Sequence, residues 1–523
     1  MSSEVGKFYL TTAITYPNAN PHSGHAMEYI QADFLARYYR LAGREVSFLT
    51  GVDEHGLKVQ STAAKEGVSA AEFVAGKSGV YTGLMEALGI SYDRFIRTTD
   101  PDHKEMAQAM WRMCAASGDI YKKQYQAWYD AKEEEFLGMV EEHPDPSVFG
   151  IDPQFIEKID EENYFFRLSR YADQVLTTLE SGEYKVTPAW RAEELIRFIK
   201  EKGLADVSIS RDKNKLSWGI PVPDDESQVM YVWFDALTNY LTFASTIDGR
   251  GMIVPGPNWP ADLHVVGKDI QRFHAHLWPA MLLSAGLALP KELLVHGHVT
   301  SGGVKMSKSL GNGIDPAEFL KTYGADALRW YLLKEISTVN DGDFTDLRFR
   351  EVYAADLAND YGNLVSRVWT MTQKYSEGLV PTTTPEQTDN AEKVIVGESW
   401  DQYHAAVTER NIQKALQAAH GLVVFCNKRI EETKPWALAK DDFQAEALAE
   451  FLYEMLESIR HISLMLQPAM PGIVAKVTAD IFPASNPELW QRFEIGQDWG
   501  GLQAGEKLGT EQVILFPRLA DAD

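Results

Sequence analysis

The apolar, β-branched run Phe8 to Ile14 is followed by a polar loop and a helical pattern ending near Arg40, with Gly43 just beyond it as a stop signal. This predicts strand, loop and helix. A second apolar run, Val46 to Thr50, follows, and strand and helix patterns alternate up to about Trp111, as expected of a parallel sheet wrapped by helices. From about Cys114 to Ser210 the pattern changes. Lys132-Glu133-Glu134-Glu135, Glu141-Glu142 and Glu161-Glu162 make this stretch acidic, and Pro144, Pro146 and Pro153 mark turns, so it reads as an insertion between two sheet halves. The sheet pattern resumes with Met230 to Phe234, Leu263 to Val266 and Leu293 to Val299. Beyond Asp341 helices dominate: Ala445 to Leu466 is amphipathic before Pro468, Pro381 to Thr388 reads as a loop, and only Gln512 to Phe516 is strand-like. The longest apolar stretch, Leu277 to Leu289, contains Pro279 and is too short for a bilayer, so it reads as a buried helix. No internal repeat or low-complexity tract stands out.

Composition narrows the class without naming a function. With 523 residues, 45% apolar and 24% charged, the chain should form two to four globular domains with sizeable cores. A formal net charge of −25 argues against indiscriminate nucleic-acid binding and against DNA as a partner; an RNA partner would have to meet a local basic surface. Cys114 and Cys426 are the only cysteines, too few for a four-thiolate zinc site and no disulfide framework, which fits a reducing compartment. The N-terminus enters a strand by about Lys7 with neither an apolar signal stretch nor an Arg-rich leader, so a cytoplasmic protein is expected.

The candidate chemistry sits in two segments about 280 positions apart: Pro21-His22-Ser23-Gly24-His25 and Lys305-Met306-Ser307-Lys308-Ser309. The first opens a helix, whose N-terminus offers unpaired N–H groups and a positive dipole end to phosphate, while His22 and His25 can donate hydrogen bonds to oxygens gaining charge. Gly24 has no side chain to block an adenine. The second lies between Gly302-Gly303 and Gly311, so Lys305 and Lys308 ride on a loop free to swing, as compact charges suited to phosphates. Either segment alone arises often by chance; together, in this order, they can hold a nucleoside triphosphate.

In a doubly wound sheet, ligands gather at the carboxyl ends of strands where chain direction reverses. Gly51-Val52-Asp53-Glu54-His55-Gly56 follows the strand Val46 to Thr50 and would put the Asp53 carboxylate at the rim of that crevice, although a helix cap is an equally good account of the hexapeptide alone. Lys268 and Asp269, after the strand ending at Val266, could meet phosphate and ribose; a turn with a surface ion pair is the plain alternative. Tyr231, Trp233 and Tyr240 begin on a strand and continue onto a helix where Ala236 and Tyr240 share a face. Most such clusters are core.

At these residues the chain resembles the class I aminoacyl-tRNA synthetases, whose two signatures the His and Lys segments match, with Ser23 where the family usually carries an aliphatic residue. With Ile14-Thr15-Tyr16, the aromatic cluster and His274, the resemblance extends over nearly the whole chain to the methionyl-tRNA synthetase family. It implies an α/β fold: a doubly wound parallel-sheet (Rossmann-type) catalytic domain with an inserted connective domain and an all-α C-terminal anticodon-binding domain. The expected division is residues 1–113 and 211–299 for the two catalytic halves, 114–210 for the insertion, 300–350 for the lysine-signature loop and stem-contact region, and 351–523 for the helical domain.

By the same resemblance Tyr16, Trp233, Ala236, Tyr240 and His274 would line a methionine site, with Ile14 as wall and Asp53 on the α-ammonium. A flexible thioether suits aromatic walls, through contacts of about 0.3–1.5 kcal/mol each. His22 and His25 would stabilise the α-phosphate of ATP, Lys305 and Lys308 would draw on the outer phosphates, and Gly24, Lys268, Asp269 and Ser307 complete the ATP set. Arg211, in Ser208-Ile209-Ser210-Arg211, takes a supporting role. In the helical region Asn359, Asn363 and Arg367 recur every four positions, a stripe that is normally just solvent-facing. The resemblance makes Asn363, Arg367 and Trp436 the anticodon contacts, with Lys428, Arg429 and Lys434 supplying positive charge; unstacked bases can stack on an indole and be read at their edges.

The implied partners are tRNA(Met), ATP with its Mg²⁺, and L-methionine, with no membrane. Two departures from the family are visible. Trp128-Tyr129-Asp130 runs into the acidic stretch without thiols, so no structural zinc or other bound metal is expected, and the chain stops soon after Phe516, so a monomer is expected. A leucine, isoleucine or valine enzyme would need a much larger editing insertion than 114–210 provides, and a cysteine enzyme would want a zinc site. A nucleotidyltransferase working without RNA could use the same two signatures but would not need the Asn/Arg/Trp set, and a non-catalytic tRNA binder would not need both histidines and both lysines.

Overall fold

The computed structural model describes residues 6–130, 135–141, 143–305, 314–383 and 391–518. The chain opens with β1 (Lys7–Thr15), α1 (Ser23–Leu41), β2 (Glu45–Val52), α2 (Leu57–Glu66), α3 (Ala70–Leu88), β3 (Arg94–Arg97) and α4 (Pro101–Ala116). Local signals set these bounds. Ser69 and Glu72 form a reciprocal capping box at the start of α3, Pro101 occupies the first turn of α4, and Arg40 lies in the last turn of α1 where it complements the dipole.

β4 (Ile120–Asp130), β5 (Glu135–Met139) and β6 (Ile156–Phe166) then form an antiparallel sheet, followed by α5 (Ala172–Ser181), β7 (Lys185–Thr187) and α6 (Ala189–Lys202). β8 (Val207–Ser208) joins the edge of that sheet, while β9 (Ser210–Asp212), β10 (Pro221–Val222) and β11 (Asp225–Met230) make a small sheet of their own. Next come α7 (Val232–Leu237), α8 (Asn239–Ala244), the hairpin β12 (Ser245–Ile247) and β13 (Ile253–Pro255), β14 (Leu263–Gly267), a π-helical turn over Phe273–Leu277, α9 (Trp278–Ser284) and β15 (Glu292–His296).

The central sheet has the order β3-β2-β1-β14-β15-β7, and every pair in it is parallel. Residues Phe8 to Ala13 of β1 and all of β15 are buried, as required of strands covered on both faces. The helix after β1 packs on one face, where Phe34 and Tyr29 join an apolar core shared with the helical region; α9, after β14, packs on the other with Trp278 and Met281. Helices therefore leave β1 and β14 in opposite directions, opening a crevice at their carboxyl ends.

The remainder is helical apart from short strands: β16 (Val299–Ser301), β17 (Val304–Lys305), α10 (Pro316–Tyr323), α11 (Ala325–Lys334), β18 (Gly342–Asp343), α12 (Asp346–Val352), a π-helical stretch over Tyr353–Gly362, α13 (Asn363–Tyr375), α14 (Ala391–Thr408), α15 (Ile412–Thr433), α16 (Pro435–Leu438) and α17 (Ala445–Leu466). Two ion pairs fasten this half to the sheet. Asp33 of α1 and Arg329 of α11, both fully buried, meet at 2.7 Å, with Arg329 also bonded to the carbonyls of Ala469 and Pro468. Burial alone would raise the Asp33 pKa, but the charges of Arg329 and Arg37 outweigh it and hold it below the usual range. Arg410 reaches Glu292 at the start of β15 at 2.7 Å.

Several segments depart from the pattern in the sequence. Residues 114–210 hold parts of two sheets: β4 to β6 stand apart, but β7 pairs with β15 as the edge of the central sheet. Three residues carry too little periodicity to declare their partner. The apolar run Met230 to Phe234 is a strand only at Met230, since α7 begins at Val232; a short buried aromatic run fits either element. Ala236 and Tyr240 accordingly lie on two short helices rather than one. Leu293 to Val299 divides into β15 and β16 at Gly297, where a Cβ would meet the backbone of Asn340 at 2.2 Å. Of Leu277 to Leu289 only the part up to Ser284 is helical, and Gln512 to Phe516 forms no strand, since its Phe516 ring packs beside Tyr353 among helices with no sheet edge to pair. Residues 384–388 of the expected Pro381 to Thr388 loop lie outside the described residues.

Asp33→Ala would strand a buried guanidinium and is expected to lower stability by about 3–5 kcal/mol, read as a shifted denaturant midpoint. A loss below about 1 kcal/mol would show that the pair does not fasten α1 to α11.

Candidate active site

A cavity of about 340 Å³ opens at the carboxyl ends of β1, β2, β14 and β15. His22, Gly24 and His25 of α1 form one end of it. The His22 side chain accepts the Gly24 N–H at 3.1 Å through Nδ1, and the His25 Nδ1 accepts the His22 N–H at 3.1 Å, so the two imidazoles cap α1 reciprocally and stack with centroids 3.9 Å apart. With each Nδ1 an acceptor, the proton of a neutral ring belongs on Nε2. Burial, reinforced by His22, pulls the His25 pKa down to about 3, so His25 is a neutral N–H donor at physiological pH. Gly24 is required by this arrangement, because a Cβ there would stand 2.9 Å from the His22 ring.

Behind the histidines, His296 at the end of β15 directs Nδ1 at the Gly297 carbonyl (2.7 Å) and Nε2 at the Glu28 carboxylate (2.8 Å). Burial opposes protonation of His296, yet Glu28 more than restores it and raises its pKa. Ser23 is fully buried and donates to the Ile314 carbonyl at 2.7 Å, so the unusual hydroxyl ties the start of α1 to the segment before α10.

The other end is aromatic. Trp233 stacks on Phe273 at 3.8 Å, and the Tyr240 hydroxyl donates to His274 Nε2 at 2.7 Å while His274 Nδ1 faces the Ile270 carbonyl at 3.0 Å. Burial lowers the His274 pKa to about 4, consistent with a neutral ring protonated on Nδ1. The polar atoms of Tyr240 and His274 are thereby occupied, which leaves their ring faces and carbon for a ligand. Asp53 is buried at the border of the two ends; its N–H is held by the Thr15 carbonyl, and its Oδ1 has no hydrogen-bond partner. Burial first, then the neighbouring Asp235, raises the Asp53 pKa well above the carboxylate range. The carboxylate also accepts the His55 N–H, and its one open, buried oxygen invites a cationic ligand group.

Ile14, Tyr16, Ala236 and Asp269 line the same cavity. Lys268 does not: its ammonium lies 2.6 Å from Asp341. Arg211 places its guanidinium 4.5 Å from the Tyr231 ring centre. Ser307 and Lys308 lie outside the described residues, and of Lys305 only the backbone is described. In the helical region Asn363 and Arg367 are half-buried and Trp436, in α16, is 40% exposed. Local positive charge there is less than expected, because Arg367, Lys428 and Arg429 each have a carboxylate partner, in Glu431, Glu432 and Glu392.

Sequence reasoning missed Glu28, His296 and His298. The last two were legible as a His-Gly-His at the end of a buried strand, the place where this sheet type collects ligands. Glu28 gave no signal beyond helical spacing from Gly24.

Three comparisons bear on this site. The family model described as tRNA synthetases class I (M) matches residues 8–143 and 139–369. A curated relative from Brucella suis biovar 1 (strain 1330), named Methionine--tRNA ligase, is 40% identical over 99% of both chains. Among solved structures, Mycobacterium tuberculosis methionyl-tRNA synthetase in complex with methionyl-adenylate aligns with a TM-score of 0.89 at 37% identity, over 98% of this chain and 100% of that one; the apo form of the same enzyme gives 0.83 at 33% over the whole of both. The chain belongs to the class I tRNA synthetases. Within that class its curated relatives are methionine–tRNA ligases.

The depressed His25 pKa has a measurable sign. Above about pH 6.5 the ring is neutral in both folded and unfolded chains; as pH falls towards 3 the unfolded chain takes up a proton that the folded one refuses. The wild type should therefore lose stability relative to His25→Gln between pH 7 and pH 5 in urea midpoints. A pH-independent difference would mean that His25 is not held neutral.

Proposed function

We propose that this chain is a methionine–tRNA ligase that activates methionine with ATP and then charges tRNA(Met). The methionine carboxylate attacks the α-phosphorus, giving methionyl-adenylate and pyrophosphate; a terminal ribose hydroxyl of the tRNA then attacks the activated carbonyl and releases AMP. One observation carries this reading: a reciprocally capped pair of imidazoles, a buried carboxylate with one oxygen open and an aromatic pocket meet in one cavity at the switch point of a parallel sheet. The structural neighbour bound to methionyl-adenylate and the full-length relatives support it.

The two ends take different parts of the adenylate. His22 and His25 donate Nε2–H to the α-phosphate as its oxygens gain charge, with the amides at the start of α1 behind them. Gly24 lies along the adenine, and Asp269 takes the ribose. Asp53 takes the methionine α-ammonium, while Tyr16, Trp233, Ala236, Tyr240 and His274, with Ile14 as wall, enclose the thioether. Lys305, Ser307 and Lys308 act on the outer phosphates. Lys268 can join them only by leaving Asp341. Catalysis rests on positioning and charge stabilisation, with no covalent enzyme intermediate.

Mg²⁺ would be brought by ATP rather than held in a protein cage, and when bound would supply charge neutralisation at the outer phosphates. The donors present fit that role: Glu28 is engaged by His296 and Asp53 faces the amino acid. The trio Asp356, Asp360 and His420, close enough together to share an ion, lies in the helical region with Lys334 2.7 Å from Asp356, and it is not assigned a metal. Residues 351–523 act as the anticodon-reading domain through Asn363, Arg367 and the exposed indole of Trp436. No described helix is long and apolar enough to cross a membrane, and a cytoplasmic monomer fits this reading.

Lys308→Ala should depress methionine-dependent ATP–pyrophosphate exchange by about 10²-fold or more while methionine binding changes little; normal exchange would remove the lysine's role. Trp436→Ala should lower aminoacylation by at least tenfold, an effect of about 1–3 kcal/mol, with adenylate formation intact. Parallel loss of both steps would instead mark a folding defect.

A further inference from the structure

Beside the cavity lies a fully buried carboxylate that the two-step reaction does not use. Asp235, in α7, places Oδ2 2.6 Å from His55 Nδ1 and Oδ1 2.7 Å from His103 Nε2, so both of its oxygens are engaged and the three residues are closed to solvent. The partners come from different elements. His55 belongs to the loop after β2, two residues beyond Asp53; His103 belongs to α4 and bonds Thr242 of α8 at 3.1 Å through its other nitrogen. Asp235 itself stands between Trp233 and Ala236, which with Leu237 are the residues of α7 that line the cavity.

The rest of the loop is held from other elements: the Glu54 carboxylate accepts from Ser78, Arg97 and Thr99, and the Gly56 N–H bonds the Trp218 carbonyl. The Asp53 N–H bonds the Thr15 carbonyl, the Glu54 N–H bonds Thr98, and Trp218 Nε1 donates to the Glu54 carbonyl. Nothing among these bonds links Asp53 to α7; among the described residues, the His55–Asp235 bond does. We propose that Asp235, clamped by His55 and His103, is a positioning residue for the amino-acid substrate: it fixes the carboxylate of Asp53 and the walls Trp233 and Ala236 as one unit, so that ammonium and side chain are recognised together. The inference rests on the assignment of Asp53 to the α-ammonium given above.

The same clamp places a second negative charge behind Asp53. Burial and Asp235 both push the Asp53 pKa upward, while His55 and His103 outweigh burial at Asp235 and keep that carboxyl below its ordinary value. The remaining ionisable groups near the pair are Glu54, which is bonded to Arg97 at 2.8 Å, and across the cavity Tyr16, His22, His25, Glu28, Tyr240, Asp269, His274, His296 and His298. A substrate ammonium binds ionised Asp53, so methionine affinity falls on the acid side as Asp53 protonates. Removing the charge at Asp235 moves that limb to lower pH, an effect that packing alone does not produce.

The experiment measures ATP–pyrophosphate exchange and methionine-induced tryptophan fluorescence on the full chain across about pH 5.5 to 9, with folding checked by thermal melts. Asp235→Asn is expected to raise the KM for methionine by about tenfold at pH 7.5, to leave kcat and the KM for ATP within about twofold, and to move the acid limb of kcat/KM for methionine downward. His103→Gln, which keeps the His55 bond, should raise that KM by about threefold. Wild-type methionine KM and an unmoved limb in folded Asp235→Asn would overturn the proposal, as would parallel loss of kcat and both KM values. If Asp235→Asn does not fold, an unchanged methionine KM in His103→Gln overturns it. Asp53→Asn separates the two readings: undiminished methionine binding there overturns the ammonium assignment, whereas loss there beside wild-type behaviour in the other variants overturns the clamp alone.

Discussion

The crevice between β1 and β14 is the constraint from which the rest follows. Parallel strands place all their carboxyl ends on one edge, and the helices that follow β1 and β14 pack on opposite faces of the sheet. The chain cannot fill the gap between them. What borders it is whatever ends each strand: Ile14 at the end of β1 and Tyr16 just after it, Asp53 after β2, Asp269 after β14, and His296 at the end of β15. Four strand ends thus meet at one cavity, and the first turn of α1 faces it.

Within that crevice the helix terminus sets the chemistry of the histidines. An α-helix leaves its first amides without partners. Here imidazole Nδ1 atoms take two of them, from Gly24 and His22. The same bonds fix the tautomer and direct Nε2–H away from the helix. Capping and the aim of the two Nε2–H groups are therefore one arrangement, and Gly24 is part of it because any larger residue would press on the His22 ring. The aromatic end works the same way: Tyr240, His274 and the Ile270 carbonyl satisfy one another and present carbon to the cavity.

Buried charges join the sheet to the helical half. Asp33 with Arg329 and Glu292 with Arg410 each cross between them, and each is surrounded by further hydrogen bonds that offset the cost of removing charge from water. The second pair sits at the start of β15, the strand whose far end carries His296. Cations nearer the surface of this acidic chain are paired too: Arg367 and Lys268 face Glu431 and Asp341.

The sequence by itself determined the alternating strands and helices of the first half, a helix opening at the His segment, the span of α17 though not its burial on every side from Phe451 on, and the two signatures with their surrounding glycines. Each is a local property, set by periodicity, capping or backbone freedom within a few residues. It also brought Tyr16, Asp53, Trp233, Ala236, Tyr240 and His274 forward together, and they do share one cavity. Only tertiary structure decided that Lys185–Thr187 completes the central sheet, that Gly297 breaks an apolar run because Asn340 crosses it, that Lys268 turns to Asp341, and that Asp235 gathers His55 and His103. These depend on pairings between residues about 40 to 180 positions apart, which follow from where the sheet brings elements together and leave no periodic trace in the chain.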